Sequence, residues 1–193
     1  GRWLLPHIAS CCLVLTANAA DWPRFLGPNN DSASAETKLL KEWPKDGPPR
    51  LWEYEKGAGH TGPVIAGGRV VIFHALDGSE VVDALDAASG QRQWRVSYSV
   101  DYTAQYGAGP GPRTSPVIDG NVVFTFGIKG TLQALDLVTG AVKWKRELAK
   151  DYRLLPTFFG QGGTPIVVGD KLIVPLGTED QKSVVAFDKT TGK

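Results

Sequence analysis

The sequence predicts an all-β fold, a β-propeller built of four-stranded antiparallel blades. Three observations support this prediction. A phrase of the form Ala-x-Asp-x-x-Ser/Thr-Gly recurs at a spacing of about 50 residues. Each copy follows two β-branched runs joined by a two-residue turn, which is a strong hairpin signal. The repeat region lacks the apolar period of about 3.6 residues that an amphipathic helix would show.

The chain opens with an apolar stretch that ends in small residues. We interpret residues 1–20 as part of a secretory signal peptide, cleaved after Ala19 or Ala20. A lipoprotein signal anchored at Cys11 is an alternative, although the apolar run continues past that position to Leu15. A buried segment or a membrane anchor is a third interpretation, but the run is short for a span and contains a proline and a histidine.

Composition limits the classes of function. The chain carries 21 Lys and Arg against 20 Asp and Glu, without a basic cluster, and this balance argues against a nucleic-acid partner. Both cysteines, Cys11 and Cys12, lie in the leader, so the mature chain would have neither disulfides nor thiol catalysis. After cleavage we also expect no transmembrane span.

The sequence itself indicates a fragment. It contains no Met, and the third copy of the phrase stops at Lys193 before any Trp. We therefore expect residues 51–193 to form an incomplete propeller, holding about three blades of seven or eight. The missing blades would be needed to close the ring.

Residues 21–50, which we call the arm, are rich in Pro, Gly, Asn and Ser and show little periodicity. We expect the arm to lie irregularly over the domain, with Trp22, Phe25 and Trp43 docked on the surface. Residues 51–56 then alternate apolar and polar positions, as a half-buried strand does.

Residues 51–56 resemble a fourth strand that has lost its first three. Propellers often close by letting an early strand complete the last blade. We therefore expect this strand to pair with a blade outside the present chain. A structure in which Trp52 packed inside the first blade would contradict that expectation.

Three units follow, with blades expected near residues 57–100, 107–150 and 160–193, the last truncated. Each unit opens with a short run, turns, continues as a β-branched run and enters a third strand that ends in the repeated phrase. The hairpin turns fall at Gly67-Gly68, Asp119-Gly120 and Gly169-Asp170. In the first two units we expect fourth strands around the Trp that ends the phrase.

The repeated phrase has a structural interpretation at each of its positions. Ala is small where sheets approach closely, and Asp with Ser or Thr accepts backbone amide hydrogens in a turn. Gly supplies a positive φ, and Trp lays a large ring across the neighbouring blade. We therefore interpret the acidic residues as turn residues rather than catalytic acids. The docking residues are Ala84, Asp86, Gly90, Trp94, Ala134, Asp136, Gly140, Trp144, Ala186, Asp188 and Gly192.

This phrase resembles the tryptophan-docking motif of the pyrroloquinoline-quinone-type propeller repeat. That repeat is found in quinoprotein alcohol dehydrogenases and in the propeller lipoprotein of outer-membrane assembly. The opening Asp21-Trp22-Pro23-Arg24-Phe25-Leu26-Gly27-Pro28 looks like the start of an exported branch common in planctomycete-type bacteria. The resemblance covers residues 21–193. Kelch repeats lack this residue order, and the Trp-Asp dipeptide of the other common propeller repeat is absent from the sequence.

For the dehydrogenases, the resemblance implies a bound quinone, a calcium ion, a catalytic Asp and often a disulfide between adjacent cysteines. The adjacent cysteines of this chain fall in the leader. The acidic residues outside the turns show no calcium-loop spacing; examples are Glu80, Asp101, Glu179 and Asp180. We therefore name no catalytic and no metal-binding residue. Pyrroloquinoline quinone with calcium would be bound only under the dehydrogenase alternative, in which missing blades build its site.

The best candidate for a functional surface is the glycine-rich connection 101–114, which runs into an innermost strand and so approaches the central channel. Gln105, Tyr106 and Arg113 are its candidate ligand-binding residues, because a guanidinium binds a carboxylate or a phosphate and an aromatic ring can stack. Packing between blades is the alternative explanation of this connection. We interpret His60 and His74 as ordinary blade or loop residues.

The function predicted from these observations is an exported binding scaffold, periplasmic or extracellular. It would present its channel or rim loops to an envelope protein or a small ligand. The alternative is a pyrroloquinoline-quinone-dependent alcohol or sugar dehydrogenase whose active site lies largely in missing blades. Both predictions rest on a fold-level resemblance.

Overall fold

A computed structural model describes residues 20–37, 39–102, 109–155, 159–179 and 184–193. These residues form three antiparallel sheets, each following chain order from its first strand to its last. The all-β prediction is confirmed, and so is the propeller class. Nearly all of the predicted leader lies outside the described residues.

The first two sheets have four strands each and the third has three. The first consists of β1 (Val64–Ala66), β2 (Arg69–Leu76), β3 (Ser79–Asp86) and β4 (Arg92–Ser99). The second consists of β5 (Val117–Asp119), β6 (Val122–Phe126), β7 (Thr131–Asp136) and β8 (Val142–Glu147). After a single helical turn, α1 (Leu148–Asp151), the third consists of β9 (Ile166–Val168), β10 (Lys171–Pro175) and β11 (Val184–Asp188).

The first strands of the three sheets adjoin one another, β1 beside β5 and β5 beside β9. They are the innermost strands of the propeller, and later strands of each sheet lie farther out. In such a meander the β1–β2 and β3–β4 turns share one face, here called the turn face. The β2–β3 turns and the links between sheets share the other, here called the connection face.

The apolar core lies between neighbouring sheets rather than within one of them. One cluster joins Val71 and Phe73 of β2 to Ile118 of β5 and Leu135 of β7. A second cluster joins the second sheet to the third in the same way, through residues such as Phe124 and Leu172. Neighbouring sheets therefore bury apolar faces against one another, as repeat architectures do, and Trp52 and Tyr54 pack against a further cluster on the first sheet.

The docking phrase works as a contact between sheets. The Trp94 indole Nε1 donates a hydrogen bond to Leu137 O, and Trp144 Nε1 donates to Lys189 O, both at 3.0 Å. A register shift falls beside the alanine of the phrase in both complete sheets, at Ala84 and at Ala134. This irregularity recurs with the phrase and lies directly opposite the Trp in each pair of strands.

Residues 51–56 are not assigned as a strand. Trp52 nevertheless takes the docking position on the first sheet, because its Nε1 donates to Ala87 O at 3.0 Å and its ring covers Gly90. It meets the first sheet as Trp94 meets the second. Trp52 thus packs on the face of the first sheet and not inside it, and pairing of this segment with another blade stays a prediction.

The arm differs from the expected surface arm. Trp22 forms an isolated bridge with Ile65 of the innermost strand β1, so this part of the arm lies at the inner edge of the sheets. Phe25 and Trp43 are 61% and 63% exposed, so most of the surface of these two side chains faces solvent. The backbone of an innermost strand offers unpaired donors and acceptors, which the surface of a sheet does not, and this attracts the arm.

Candidate functional site

The connection face carries a cleft of about 350 Å³ lined by His60, Arg113, Phe159 and Gly162. We call it the rim cleft. His60, Arg113 and Gly162 each stand four residues before the first strand of their sheet. Equivalent positions of three successive units therefore meet at one place beside the innermost strands.

Backbone contacts hold the first two of these positions together. The His60 amide donates to Pro112 O at 3.0 Å, which joins the first unit to the second. Arg113 Nη2 donates to Gly109 O at 2.8 Å, so the guanidinium is oriented by its own connection. A Cβ on Gly59 would lie 3.2 Å from the Pro112 ring, and its φ of +138° favours glycine. The close approach beside His60 therefore depends on glycine.

Side-chain hydroxyls anchor the residues that follow. Thr61 Oγ1 donates to Phe73 O at 2.6 Å, and Thr114 Oγ1 donates to Phe126 O at 2.5 Å in the second unit. These bonds attach each connection to the second strand of its own sheet. They fix the backbone next to His60 and Arg113, so the rim cleft is built on the rigid part of the repeat.

A second hydroxyl position links successive units. The Gly62 amide donates to Ser115 Oγ at 3.0 Å, and the Ser115 amide donates to Thr164 Oγ1 at 3.2 Å. Gly62, Ser115 and Thr164 occupy the same place in the three units. Each unit thus bonds to the next through one side chain below the cleft.

Another cleft of about 350 Å³ opens on the same face, between the β6–β7 turn and the link from the second sheet to the third. Its lining is largely apolar, with Ile128, Leu154 and Leu155, and it includes Tyr102 and Lys129. Lys129 Nζ donates to Asp101 O at 3.0 Å, which ties this cleft to the glycine-rich connection.

A buried polar network lies on the first sheet beneath residues 51–57. Asp83 is fully buried. Arg95 donates two hydrogen bonds to it, from Nε to Oδ1 at 2.7 Å and from Nη2 to Oδ2 at 2.8 Å. Tyr54 and His74 Nε2 both donate to Oδ2 at 2.8 Å. The Gly57 amide donates to His74 Nδ1 at 3.0 Å, so that nitrogen has no proton and the imidazole is the neutral Nε2–H tautomer.

Opposing effects act on the Asp83 carboxyl. Burial raises its pKa, but the hydrogen bonds from Arg95, His74 and Tyr54 outweigh burial and hold the pKa far below its usual range. The carboxylate is therefore ionised and fully paired at neutral pH. Because this carboxylate is fully buried and already accepts four hydrogen bonds, it is not open to a substrate, and we assign the network to holding residues 51–57 on the first sheet.

Glu80 carries a second buried carboxyl, at the contact between the first two sheets. The Ile128 amide donates to its Oε1 at 2.9 Å, and the Tyr98 hydroxyl donates to its Oε2 at 2.7 Å. Burial raises the pKa of Glu80 above its usual value although both hydrogen bonds oppose the change. Burial and the nearby carboxyl also raise the pKa of Tyr98.

The acidic residues of the docking phrase stand in turns on the turn face. Asp136 Oδ1 accepts from the Val138 and Thr139 amides, both at 3.0 Å, and from the Thr139 hydroxyl at 3.1 Å. Hydrogen bonds from Lys143 and Thr139 lower the pKa of Asp136 to about 2. Asp86 and Asp188 make the same contacts in their own turns.

Of the predicted ligand-binding residues, Arg113 lies in the rim cleft, whereas Gln105 and Tyr106 lie outside the described residues. His60 also lines this cleft, although its sequence context suggested an ordinary loop residue. Its position four residues before an innermost strand, shared with Arg113, was the available signal. The networks of Asp83 and Glu80 were missed, although a carboxyl inside an apolar β-branched run is itself a signal.

Within the described ranges, no group of three or more His, Cys, Asp and Glu side chains is arranged to hold a metal ion. No helix in the described part of the chain combines the length and the apolar character needed to cross a membrane.

The chain matches known proteins in sequence and in fold. A family described as outer membrane protein assembly factor BamB matches residues 43–193. Quinohemoprotein alcohol dehydrogenase ADH-IIG of Pseudomonas putida is 35% identical over 77 residues, which are 39% of this chain and 10% of that enzyme.

Solved structures share the fold. A quinohemoprotein alcohol dehydrogenase from Comamonas testosteroni matches with a TM-score of 0.63 at 22% identity, over 92% of this chain and 27% of the enzyme. A europium-containing methanol dehydrogenase matches with a TM-score of 0.54 at 24% identity, over 75% of this chain and 26% of the enzyme. The chain thus spans between 10% and 27% of the length of these three relatives.

Proposed function

Because this chain belongs to the family of outer membrane protein assembly factor BamB, we propose that it is an exported propeller scaffold which binds its ligand on the connection face. Export is suggested by the apolar leader, residues 1–20, and by the envelope role in the family's description. The partner would be a protein or a small molecule of the cell envelope.

The observation that carries this proposal is the rim cleft. Arg113 presents a planar guanidinium that suits a carboxylate, and Phe159 supplies an aromatic surface beside it. His60 adds a ring nitrogen from the preceding unit. This chemistry favours a ligand that joins a carboxylate to an apolar or aromatic group, such as the end of a peptide or a small aromatic acid.

Binding of benzoate, with benzamide as its uncharged match, tests the proposal on the intact protein. Arg113→Ala should weaken benzoate binding at least tenfold, as expected when one charge-assisted contact of about 1.5 to 3 kcal/mol is lost. Arg113→Lys should recover part of the loss, because it keeps the charge without the fork. Calorimetric or NMR titration measures each constant.

Arg92→Ala is the matched control, since Arg92 is exposed on β4, away from the rim cleft. This control should bind benzoate as the wild type does. Equal binding of benzoate and benzamide, or full benzoate binding by folded Arg113→Ala, would remove the rim cleft as the ligand site.

A quinone-dependent dehydrogenase is the second candidate, favoured by the similarity to an alcohol dehydrogenase over 77 residues. The described residues offer no metal-ligand set for such a cofactor, so we derive no catalytic step from them. The test is to add pyrroloquinoline quinone and calcium to the intact protein and to follow dye reduction with alcohols and sugars. Turnover would establish the enzyme, and an absence of both binding and turnover would reject it.

A further inference from the structure

The start of the arm lies along the innermost strands of two sheets. The Trp22 amide donates to Ile65 O at 2.8 Å, and the Ile65 amide donates to Trp22 O at 2.9 Å. Pro23 O then accepts from the Ile118 amide of β5 at 2.8 Å. Since β1 and β5 adjoin as innermost strands, this segment pairs with the edges that face the propeller axis.

The segment runs antiparallel to β1 from one face to the other. Asp21 Oδ2 accepts from the Gly67 amide in the β1–β2 turn, at 3.5 Å. At the other end, the Phe25 ring comes within 3.7 Å of the place where a Cβ on Gly62 would stand. The chain therefore crosses the channel from the turn face and emerges on the connection face, two residues from His60.

Beyond this point the arm folds on itself. The Trp22 ring covers Gly27 so closely that a Cβ there would lie 2.7 Å from the ring. The Gly27 amide donates to Arg24 O at 2.9 Å, and the Ser32 amide donates to Leu26 O at 3.0 Å. Residues 21–32 are thus a compact unit built around one indole, attached to the sheets mainly through backbone hydrogen bonds.

We propose that the inner edges of β1 and β5 form a strand-addition site which residues 21–32 of the same chain occupy as a displaceable plug of the channel. Exposed strand edges bind extended segments through backbone donors and acceptors, whatever their side chains. The Pro23 carbonyl accepts a hydrogen bond from the Ile118 amide. Because proline has no amide hydrogen, it cannot donate in return, and the pairing ends there. The plug is a feature separate from ligand binding in the rim cleft.

Hydrogen exchange at Ile65 and Ile118 in the intact protein tests the plug, because both amides bond to the arm. Val64 and Ala66 are internal references, since they face β2. Gly27→Ala should drive the Trp22 ring off its turn and speed exchange at Ile65 and Ile118 at least tenfold. The two references should not change.

Gly47→Ala is the matched control within the arm. Gly47 has a φ of +77° and Gly27 has +78°, but a Cβ on Gly47 would meet nothing within 4 Å. Both substitutions therefore strain the backbone equally, and only one disturbs the indole. Exchange at Ile65 and Ile118 should stay slow in Gly47→Ala.

The second experiment removes residues 21–32 and adds them back as a synthetic peptide. Addition should restore slow exchange at Ile65 and Ile118 in a saturable manner, and the same peptide with Trp22→Ala should bind at least tenfold more weakly. Slow exchange without the arm, or no restoration by the peptide, would overturn the proposal. A deletion that also exposed the Val64 and Ala66 amides would show a structural strand rather than a displaceable plug.

Discussion

Asp83 and Glu80 are two buried carboxyls of the same strand, and their pKa values shift in opposite directions. Asp83 meets a guanidinium, an imidazole and a phenol, and together these keep it ionised in spite of burial. Among the described residues, Glu80 accepts hydrogen bonds from an amide and a phenol, and the effect of burial prevails. A charged partner is therefore what separates a carboxylate that stabilises the folded state from one whose ionisation opposes it.

Substitution by the matching amide should reveal this difference. Asp83→Asn leaves the Arg95 charge without its partner and should lower the free energy of unfolding at pH 7 by roughly 2 kcal/mol. Glu80→Gln keeps an acceptor for Ile128 and removes an ionisable group, so it should cost nothing at pH 7. Urea denaturation of both variants measures the two effects, and equal losses would contradict this assignment.

The same two carboxyls make the free energy of unfolding depend on pH, and their contributions have opposite signs. The folded-state pKa of Asp83 is lowered, so its contribution is present above an unfolded pKa of about 3.9 and is lost as the pH falls below it. The folded-state pKa of Glu80 is raised, so its contribution is present below an unfolded pKa of about 4.3 and is lost as the pH rises. Glu80→Gln should therefore gain stability relative to the wild type between pH 4 and 7.

Among the elements, the turn between the third and fourth strands has two roles. It closes its own hairpin, and a tryptophan ring from the preceding unit packs against it. Gly140 has a φ of +75°, and a Cβ there would lie 2.8 Å from the Trp94 indole. Gly90 meets Trp52 and Gly192 meets Trp144 in the same manner. The glycine of the phrase therefore has two requirements, a left-handed backbone and an open surface for the neighbouring indole.

A pair of variants separates these requirements. Gly120 also has a positive φ, +55°, but its Cβ would meet nothing within 4 Å. Gly120→Ala should cost about 1 kcal/mol for the backbone alone, whereas Gly140→Ala should cost roughly 1 to 3 kcal/mol more for displacing the ring. Thermal unfolding followed by tryptophan fluorescence measures both, and equal costs would show that the ring imposes no requirement.

At the scale of the whole molecule, the sheets bind one another by contacts that recur from unit to unit. The docking indoles join neighbours near the turn face, and the hydroxyls of Ser115 and Thr164 join them near the axis. Glu80 adds a bond that the second unit does not repeat, because the equivalent position there is Gly130, which stands immediately before β7 and has no side chain. Stability is therefore largely a sum of contacts between neighbours.

Ser115→Ala tests the contact near the axis. It would leave the Gly62 amide without its acceptor and should cost about 1 to 3 kcal/mol of unfolding free energy. Ser115→Thr should restore the contact, because the third unit uses Thr164 at this place. Ser97→Ala, on the exposed side of β4, is the control and should change stability by less than about 0.5 kcal/mol.

Much of the fold was predictable because its signals are local. The turns, the β-branched runs and the docking phrase each lie within about ten residues, and they specify hairpins and the sheet contact. Arg113 was predictable as a binding residue from its type and its loop. His60 was not identified, although it shares the position of Arg113 in the preceding unit; that both residues line one cleft becomes visible only when the two units pack side by side.

The blade, its repeat and the family resemblance can all be read from the chain, since short-range preferences and a fixed period carry that information. Which side chains meet across units depends instead on the folded arrangement. Glu80 reaches Ile128 from 48 residues away, Trp22 pairs with Ile65, and His60 joins Arg113, although no local pattern marks these pairs. Their proximity depends on how whole sheets stack around the axis, which is set by the summed packing between sheets rather than by any one segment.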